Sequence, residues 1–388
     1  MFFHSLPSLI IFLPIFFIGY TFIKKFSLEI SKKFLLLFSL VFYGFDVPWF
    51  VIPLLISASS DYLLSKVLIE KKSFPATFRK YIVCLSLIIN IGLLIIFKYQ
   101  NLISISFLNL FNNFEITNLN NNLLPVGISF YTFQTLSFTI DCFKGKVNKS
   151  PKLIDYLLFV CYFPQLVAGP ILRYSSFFDI KSELLLNKNS PNLNYGFNRI
   201  CYGLFLKLCL ADELARLNDI AFNSNYDLLG ALDAWTMAFG FGLQIYFDFS
   251  AYSHMAIGIS NIIGLPIMEN FNFPYNSKSA SEFWKRWHIS LSKWVSDYLY
   301  SFIKNNSSQY FYGALPLLST WIIMGIWHGA SLRFALWGLL NGFLILIHRL
   351  FKSNIEIKHN FLLNNCFWFI NLFSLMSTWI YFRSSTWD

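Results

Sequence analysis

Charge is scarce in this 388-residue chain, with only 13% of residues Asp, Glu, Lys or Arg, about half the share of an ordinary soluble domain. A surface in water needs those charges, so most of this surface faces something else. Several motifs are missing as well. There is no G-x-x-x-x-G-K-[ST] loop to cradle a nucleotide phosphate and no G-x-S-x-G elbow to present a serine nucleophile. No H-E-x-x-H or comparable cluster supports a metal. The six cysteines (Cys84, Cys142, Cys161, Cys201, Cys209 and Cys366) contain no C-x-x-C pair and read as small apolar filler. The hydrophobic N-terminus lacks a charged leader and a small-residue cleavage site, so it reads as a retained first span rather than a removed signal. No internal period is visible, which weakens a transporter built from inverted repeats.

What the chain has in quantity is hydrophobic surface: 56% of residues are apolar and 20% aromatic. Runs such as 34–57 and 80–97 are long enough to cross about 30 Å of hydrocarbon, which takes about 20 residues. Continuous apolar runs of this length mean helices, because in lipid each backbone polar group must be satisfied within the span. The expectation is an all-α polytopic membrane protein of roughly nine to eleven spanning or re-entrant segments, folded as one domain over 1–388. The net charge of +10 is spread between the apolar segments, which excludes a basic nucleic-acid-binding domain. Lys24, Lys25, Lys32 and Lys33 follow the first span, and Lys66, Lys71, Lys72, Arg79 and Lys80 follow the third. Lys144, Lys146, Lys149 and Lys152 follow the fifth. The turn at Asp46–Trp49 and the Asn-rich stretch 109–122 carry no positive charge. Positive loops stay in the cytoplasm, so the N-terminus is expected outside. The stretches 109–122 and 176–195 read as loops within the membrane domain.

Polar and ionisable residues inside apolar segments gather in the second half, where each is expensive and marks a candidate site. Residues 282–298 (EFWKRWHISLSKWVSDY) place Trp284, Trp287, His288, Leu291 and Val295 on one side of a helical wheel. Glu282, Arg286 and Lys293 fall opposite, and Glu282–Arg286 has ion-pair spacing. Such a helix is expected to lie in the membrane interface. His288 is the polar group on its buried face, either bonded to a neighbouring loop or functional. His328 sits in the nearly uncharged run 314–347, flanked by Gly325 and Gly329, which allow close approach of backbone or ligand. A neutral imidazole there can take a proton from a hydroxyl; the competing reading is a polar residue joining two helices. Asp248, in QIYFDFSAYSHMAIG (244–258), must pair or be protonated, and His254 is ambiguous.

As a set, these segments resemble the membrane-bound O-acyltransferase family, in particular its bacterial branch typified by the membrane subunit of alginate O-acetyltransferase. The resemblance rests on FHSLPSLIIFLPIFF, LFSLVFYGFDVPWF, LPVGISFYTFQTLSFTIDCFKG and FPQLVAGPILR. It continues through QIYFDFSAYSHMAIG, NFNFPYNSKSASEFWKRWHISLSKWVSDYLY, MGIWHGAS and STWIYFR, in that order along nearly the whole chain. It implies a helical funnel through a bacterial cytoplasmic membrane, with an acyl thioester entering from the cytoplasm and no bound cofactor or metal. By this similarity His328 in W-H-G is the general base and His288 in R-W-H its companion. Trp327, Arg286, Trp287 and Asp248 are the expected substrate contacts. The implied activity is O-acetylation of a cell-envelope polysaccharide from acetyl-CoA, with an extracytoplasmic acyl-transfer protein as partner. The alternatives are D-alanyl transfer to teichoic acid and, in another class, glycan or lipid transport. D-alanyl transferases tend to show Gly-Pro-Ile-Asp-Arg where this chain has Gly169-Pro170-Ile171-Leu172-Arg173. The family usually has Gly-Tyr-Ser-Asp at Ala251-Tyr252-Ser253-His254. It commonly has Pro-Leu-Gly-Gly at Ser301-Phe302-Ile303-Lys304, and its members continue beyond Trp379–Arg383 through further helices, so a C-terminally short chain is expected here.

Overall fold

The computed structural model describes residues 1–99, 124–177, 192–224, 229–306, 313–329, 331–354 and 361–384. Regular structure there is helical throughout, with no strand among the described residues. The helices are α1 (Leu13–Phe26), α2 (Leu28–Gly44), α3 (Val51–Glu70), α4 (Ala76–Leu94), α5 (Ile128–Phe143), α6 (Leu153–Cys161) and α7 (Phe163–Leu166). They continue with α8 (Leu193–Phe205), α9 (Asp212–Phe222), α10 (Ala231–Ile263), α11 (Ala280–Arg286) and α12 (Ile289–Trp294). The last are α13 (Ser301–Asn305), α14 (Ala314–His328), α15 (Leu332–Asn354) and α16 (Phe361–Arg383).

Among the described residues, five helical stretches are long and apolar enough to cross a membrane: Ser8–Phe26, Pro48–Glu70, Ala76–Tyr99, Leu332–Leu350 and Phe361–Arg383. The chain is therefore a multi-pass membrane protein. The expected count of nine to eleven segments is not made up of full spans among the described residues. Several candidates are shorter helices such as α14, or, like α10, are interrupted by polar side chains. The 80–97 run lies inside one span. The 34–57 run does not form one: it divides at Phe45–Val47 between α2 and a short turn leading into α3. The Asn-rich stretch and most of 176–195 lie outside the described residues.

Internal contacts divide the chain into two compact units, each discontinuous in sequence: residues 1–201 with 254–268, and residues 202–253 with 269–388. The first unit is built on phenylalanine. Phe163 on α7 meets Phe12, Phe16 and Phe42 with ring centroids 5.6, 5.1 and 5.3 Å apart. The polar groups of this unit are also sealed inside it, and each must find a partner there, since lipid offers none. Asp61 is fully buried, and its two carboxylate oxygens accept from Ser86 Oγ at 2.6 Å and Asn90 Nδ2 at 2.9 Å. Asn90 Oδ1 in turn accepts from Ser57 and Thr135 hydroxyls, which ties α3, α4 and α5 together.

The second unit carries α9, most of α10, and α11 to α16. Its centre is a tryptophan cluster in which Trp287, Trp337 and Trp379 are nearly fully buried. The α14–α15 hairpin packs at backbone distance. A Cβ added to Gly325 would land on the carbonyl oxygen of Phe334, and one added to Gly338 on the carbonyl oxygen of Trp321. The close approach expected at Gly325 is thus made by the neighbouring helix.

Candidate active site

The segment expected to be a single interfacial helix over 282–298 is helical but broken. Ser279 caps α11 by accepting from Glu282 N–H, and the Glu282 carboxylate accepts from the N–H of Lys278, one residue before the cap, in a variant of the capping box. The helix then stops at Arg286. Trp287 is extended and His288 adopts φ 42°, ψ 56°, a left-handed conformation uncommon for any residue but glycine. The chain restarts as α12 at Ile289. A helical wheel assumes continuous right-handed turns, so a left-handed residue in the middle is invisible to it.

Asn270, not singled out by the sequence, holds this break. Its carbonyl accepts from Ile289 N–H at 2.9 Å. Its side-chain oxygen accepts from Ser290 N–H at 3.2 Å and Ser290 Oγ at 2.9 Å, and lies 3.2 Å from His288 Nδ1. Because that oxygen can only accept, Nδ1 carries the proton in this contact. His288 is 4% exposed and meets Phe249 edge to face at 4.6 Å. Burial pulls its pKa down from the usual 6.5 to about 3, so the ring is neutral. A histidine with a lowered folded-state pKa stabilises the fold above its unfolded value, and that stability is lost as pH falls from about 6.5 toward 3. Detergent-solubilised protein should therefore lose melting temperature over that range. The loss should shrink in His288→Gln; an identical slope in both proteins would remove His288 as its source.

His328 ends α14 and is half-buried against three rings: Trp327 at 4.7 Å, Trp337 at 5.0 Å and Phe382 at 5.2 Å between centroids. It lines a cavity of about 220 Å³ that follows one face of α14 through Leu317, Thr320, Trp321 and Met324. Those positions rise through three turns, about 16 Å at 1.5 Å per residue. α11 contributes Ser281, Trp284 and Lys285, and α15 contributes Trp337, Ile345 and Arg349. Because α15 runs back along α14, Trp337 sits beside His328, whereas Arg349 lies toward the Leu317 end. Arg349 is exposed and donates to Tyr300 Oη at 3.4 Å. Basic side chains thus occupy the rim, the walls are largely apolar, and no carboxylate lines the cavity among the described residues.

The expected substrate contacts are placed unevenly. Trp327 packs directly on His328. Trp287 and His288 do not line the cavity; Trp287 connects to it through Trp379 at 5.3 Å, which meets Trp337 at 5.9 Å. Arg286 also stays outside the lining, holding Glu282 at 2.8 Å and the carbonyl of Asn272. Asp248 is exposed rather than enclosed by its aromatic neighbours, and it pairs with Lys207 at 2.7 Å, which also reaches Asp212 at 2.9 Å. Lys285 and Arg349 gave no local signal beyond closing an apolar run, and Trp284 and Trp337 none beyond ordinary core spacing. His254 belongs to the other unit. No group of His, Cys, Asp and Glu suited to a metal occurs among the described residues.

A family model described as the membrane-bound O-acyltransferase family matches residues 90–386. The chain is 37% identical over 302 residues to the probable alginate O-acetylase AlgI of Pseudomonas aeruginosa, covering 77% of this chain and 57% of that one. It is 32% identical over 409 residues to the peptidoglycan O-acetyltransferase of Helicobacter pylori, covering 96% and 75%. The teichoic acid D-alanyltransferase of Bacillus subtilis is 30% identical over 242 residues, 59% of this chain and 60% of that one. The chain therefore spans little more than half the length of the alginate O-acetylase AlgI it matches.

Proposed function

The chain belongs to the membrane-bound O-acyltransferase family, and from that premise we propose that it transfers an acetyl group from a thioester to a hydroxyl of a cell-envelope polysaccharide. One observation carries the reading: His328 lines a tryptophan-walled cavity that also carries Lys285 and Arg349 and, among the described residues, no carboxylate. Acetyl-CoA separates its phosphates from its thioester by a long uncharged arm, which is the same division of charge. Arg349 and Lys285 hold the phosphates, the arm follows α14, and the acyl carbon comes to rest at His328. His328 accepts the proton of the acceptor hydroxyl as its oxygen attacks. Trp327 orients the imidazole. His288 and Trp287 act from outside the cavity, fixing the aromatic wall behind Trp379, with Arg286 and Glu282 bracing the same break. The exposed Asp248–Lys207 pair is the proposed contact for acceptor hydroxyls.

Two features favour a neutral acyl group over D-alanine. A D-alanyl ester carries an ammonium group, which an apolar cavity with cations and no carboxylate repels. Leu172 is 2% exposed, so the aspartate that D-alanyl transferases tend to carry there would be a buried charge.

The site of action is a bacterial cytoplasmic membrane, with the N-terminus outside. The distribution of lysines supports this orientation, and so does the ion pair at 2.9 Å between the Met1 amine and Asp46, which puts both groups on one side. On this orientation Arg349, near the end of α15, faces the cytoplasm, where acetyl-CoA is available. The acceptor, or an extracytoplasmic protein that carries the acetyl group to it, meets His328 from the other side.

Mass spectrometry of envelope glycans from cells with and without this protein tests the proposal. Loss of O-acetyl esters on deletion is expected, and unchanged acetylation would overturn it. In the purified enzyme, the double charge reversal Lys285→Glu, Arg349→Glu should raise KM for acetyl-CoA about tenfold or more, equivalent to roughly 1.4 kcal/mol. An unchanged KM would remove these residues from donor binding.

A further inference from the structure

Two buried hydrogen-bond donors stand unused in the wall of the His328 cavity. Trp337 is 1% exposed, Trp284 is half-buried, and both line the cavity. The indole N–H of each is covered and meets no acceptor among the described residues. Buried donors are almost always paired, so an unpaired one calls for a reason. Packing alone does not supply it, because an aromatic ring without a polar edge would fill the same wall. The two rings meet edge to face at 5.8 Å and 81°, and Trp337 meets His328 at 5.0 Å and 83°. One idle donor therefore borders the ring assigned to proton transfer, and the second lies one ring further along the wall.

Resting on the reading of His328 as general base, we propose that Trp337 is a catalytic residue, its indole N–H donating to the thioester carbonyl oxygen, with Trp284 as the second donor. When the acceptor hydroxyl oxygen attacks the carbonyl carbon, a C–O bond forms and His328 takes the hydroxyl proton. The carbonyl π pair moves onto oxygen, and that oxyanion receives the indole hydrogen bonds. Collapse re-forms the carbonyl, breaks the C–S bond and releases the thiolate, which takes the proton back from His328. Hydrogen bonds aimed at charge that develops only in the transition state accelerate the step without tightening ground-state binding. Both N–H groups are buried. The acyl carbonyl must wedge against the wall and turn a ring to meet them, a tightening that catalytic contacts commonly undergo once substrate is bound.

The test replaces Trp337 with 3-benzothienylalanine, which keeps the fused bicycle and substitutes sulfur for N–H, beside Trp337→Phe and His328→Ala. Initial rates of acetyl transfer are measured with purified protein in liposomes. The isostere should lower kcat by about 10²–10³-fold, the usual effect of removing one oxyanion donor, while KM for acetyl-CoA and the melting temperature stay close to wild type. Wild-type kcat in the isostere would overturn the proposal, as would a rise in KM at constant kcat, which would make Trp337 a binding residue. Full activity in His328→Ala would instead sink the reading of the base on which the proposal rests. Should Trp337→Phe fail to fold, the isostere still decides the matter.

Discussion

Replacing His328 with alanine is expected to cut acetyl transfer by about 10²–10⁴-fold, the contribution of a positioned proton acceptor. The size follows from the composition of the cavity. Its other ionisable lining groups are Lys285, Arg349 and Tyr300, and neither an ammonium nor a guanidinium carries a lone pair to receive a proton. Serine and threonine hydroxyls there are far weaker bases than imidazole. No neighbouring side chain is placed to take over, so the loss should be close to complete. Removing the ring also leaves space beside Trp327, Trp337 and Phe382, and a structural effect must be separated from a chemical one. His328→Gln keeps most of the volume and should be as inactive as the alanine variant. Added imidazole should restore part of the rate to His328→Ala and none to His328→Gln, whose side chain still fills the position. Initial rates normalised to monodisperse protein from size-exclusion chromatography provide the measurement. Wild-type rates in either variant would end the general-base assignment.

The second large effect is expected at Gly338. Overpacking a well-filled core costs about 1–3 kcal/mol when side chains can move aside. At Gly338 the obstacle is the main-chain carbonyl of Trp321, and at Gly325 that of Phe334. Backbone in a hydrogen-bonded helix cannot turn away as a side chain does, so α14 and α15 would have to separate. Gly338→Val should thus abolish a folded second unit and with it the His328 cavity, seen as aggregation or loss of a monodisperse peak in detergent. Gly342→Ala is the matched control. There an added Cβ meets Trp321 Cβ at 3.1 Å and Leu318 Cδ2 at 3.2 Å, contacts that small shifts relieve. A Gly338→Val protein as stable as Gly342→Ala would show that the hairpin tolerates a wider spacing.

The sequence disclosed what depends on near neighbours and hid what depends on distant ones. Membrane residence, helical class and the cost of burying His328 follow from composition and apolar runs alone. The Glu282–Arg286 pair was legible because four residues make one helical turn. Asp248 could be said to need a partner, but Lys207 lies 41 residues earlier and no periodicity connects the two. The 34–57 run is long enough to cross in one pass, yet the turn that the sequence marks at Asp46–Trp49 divides it. His288 was placed correctly on the buried side, yet its left-handed backbone depends on Asn270, eighteen residues away. The cavity was the least visible feature. Trp284, Trp321 and Trp337 come from three helices and are ordinary core residues until the helices are packed.

α14 has fifteen residues, about 22 Å at 1.5 Å per residue, against about 30 Å for the hydrocarbon of a bilayer. It therefore stops short of the far surface. On the proposed orientation, with the first turn of α14 at the cytoplasmic boundary, His328 would lie about 8 Å below the opposite one. A polysaccharide lying along the outer face could not bring a hydroxyl to that depth without dragging its hydrated neighbours into lipid. Under the proposed function and orientation, an acceptor that reaches His328 would be slender at its tip: a chain end, or a single side chain of a carrier protein.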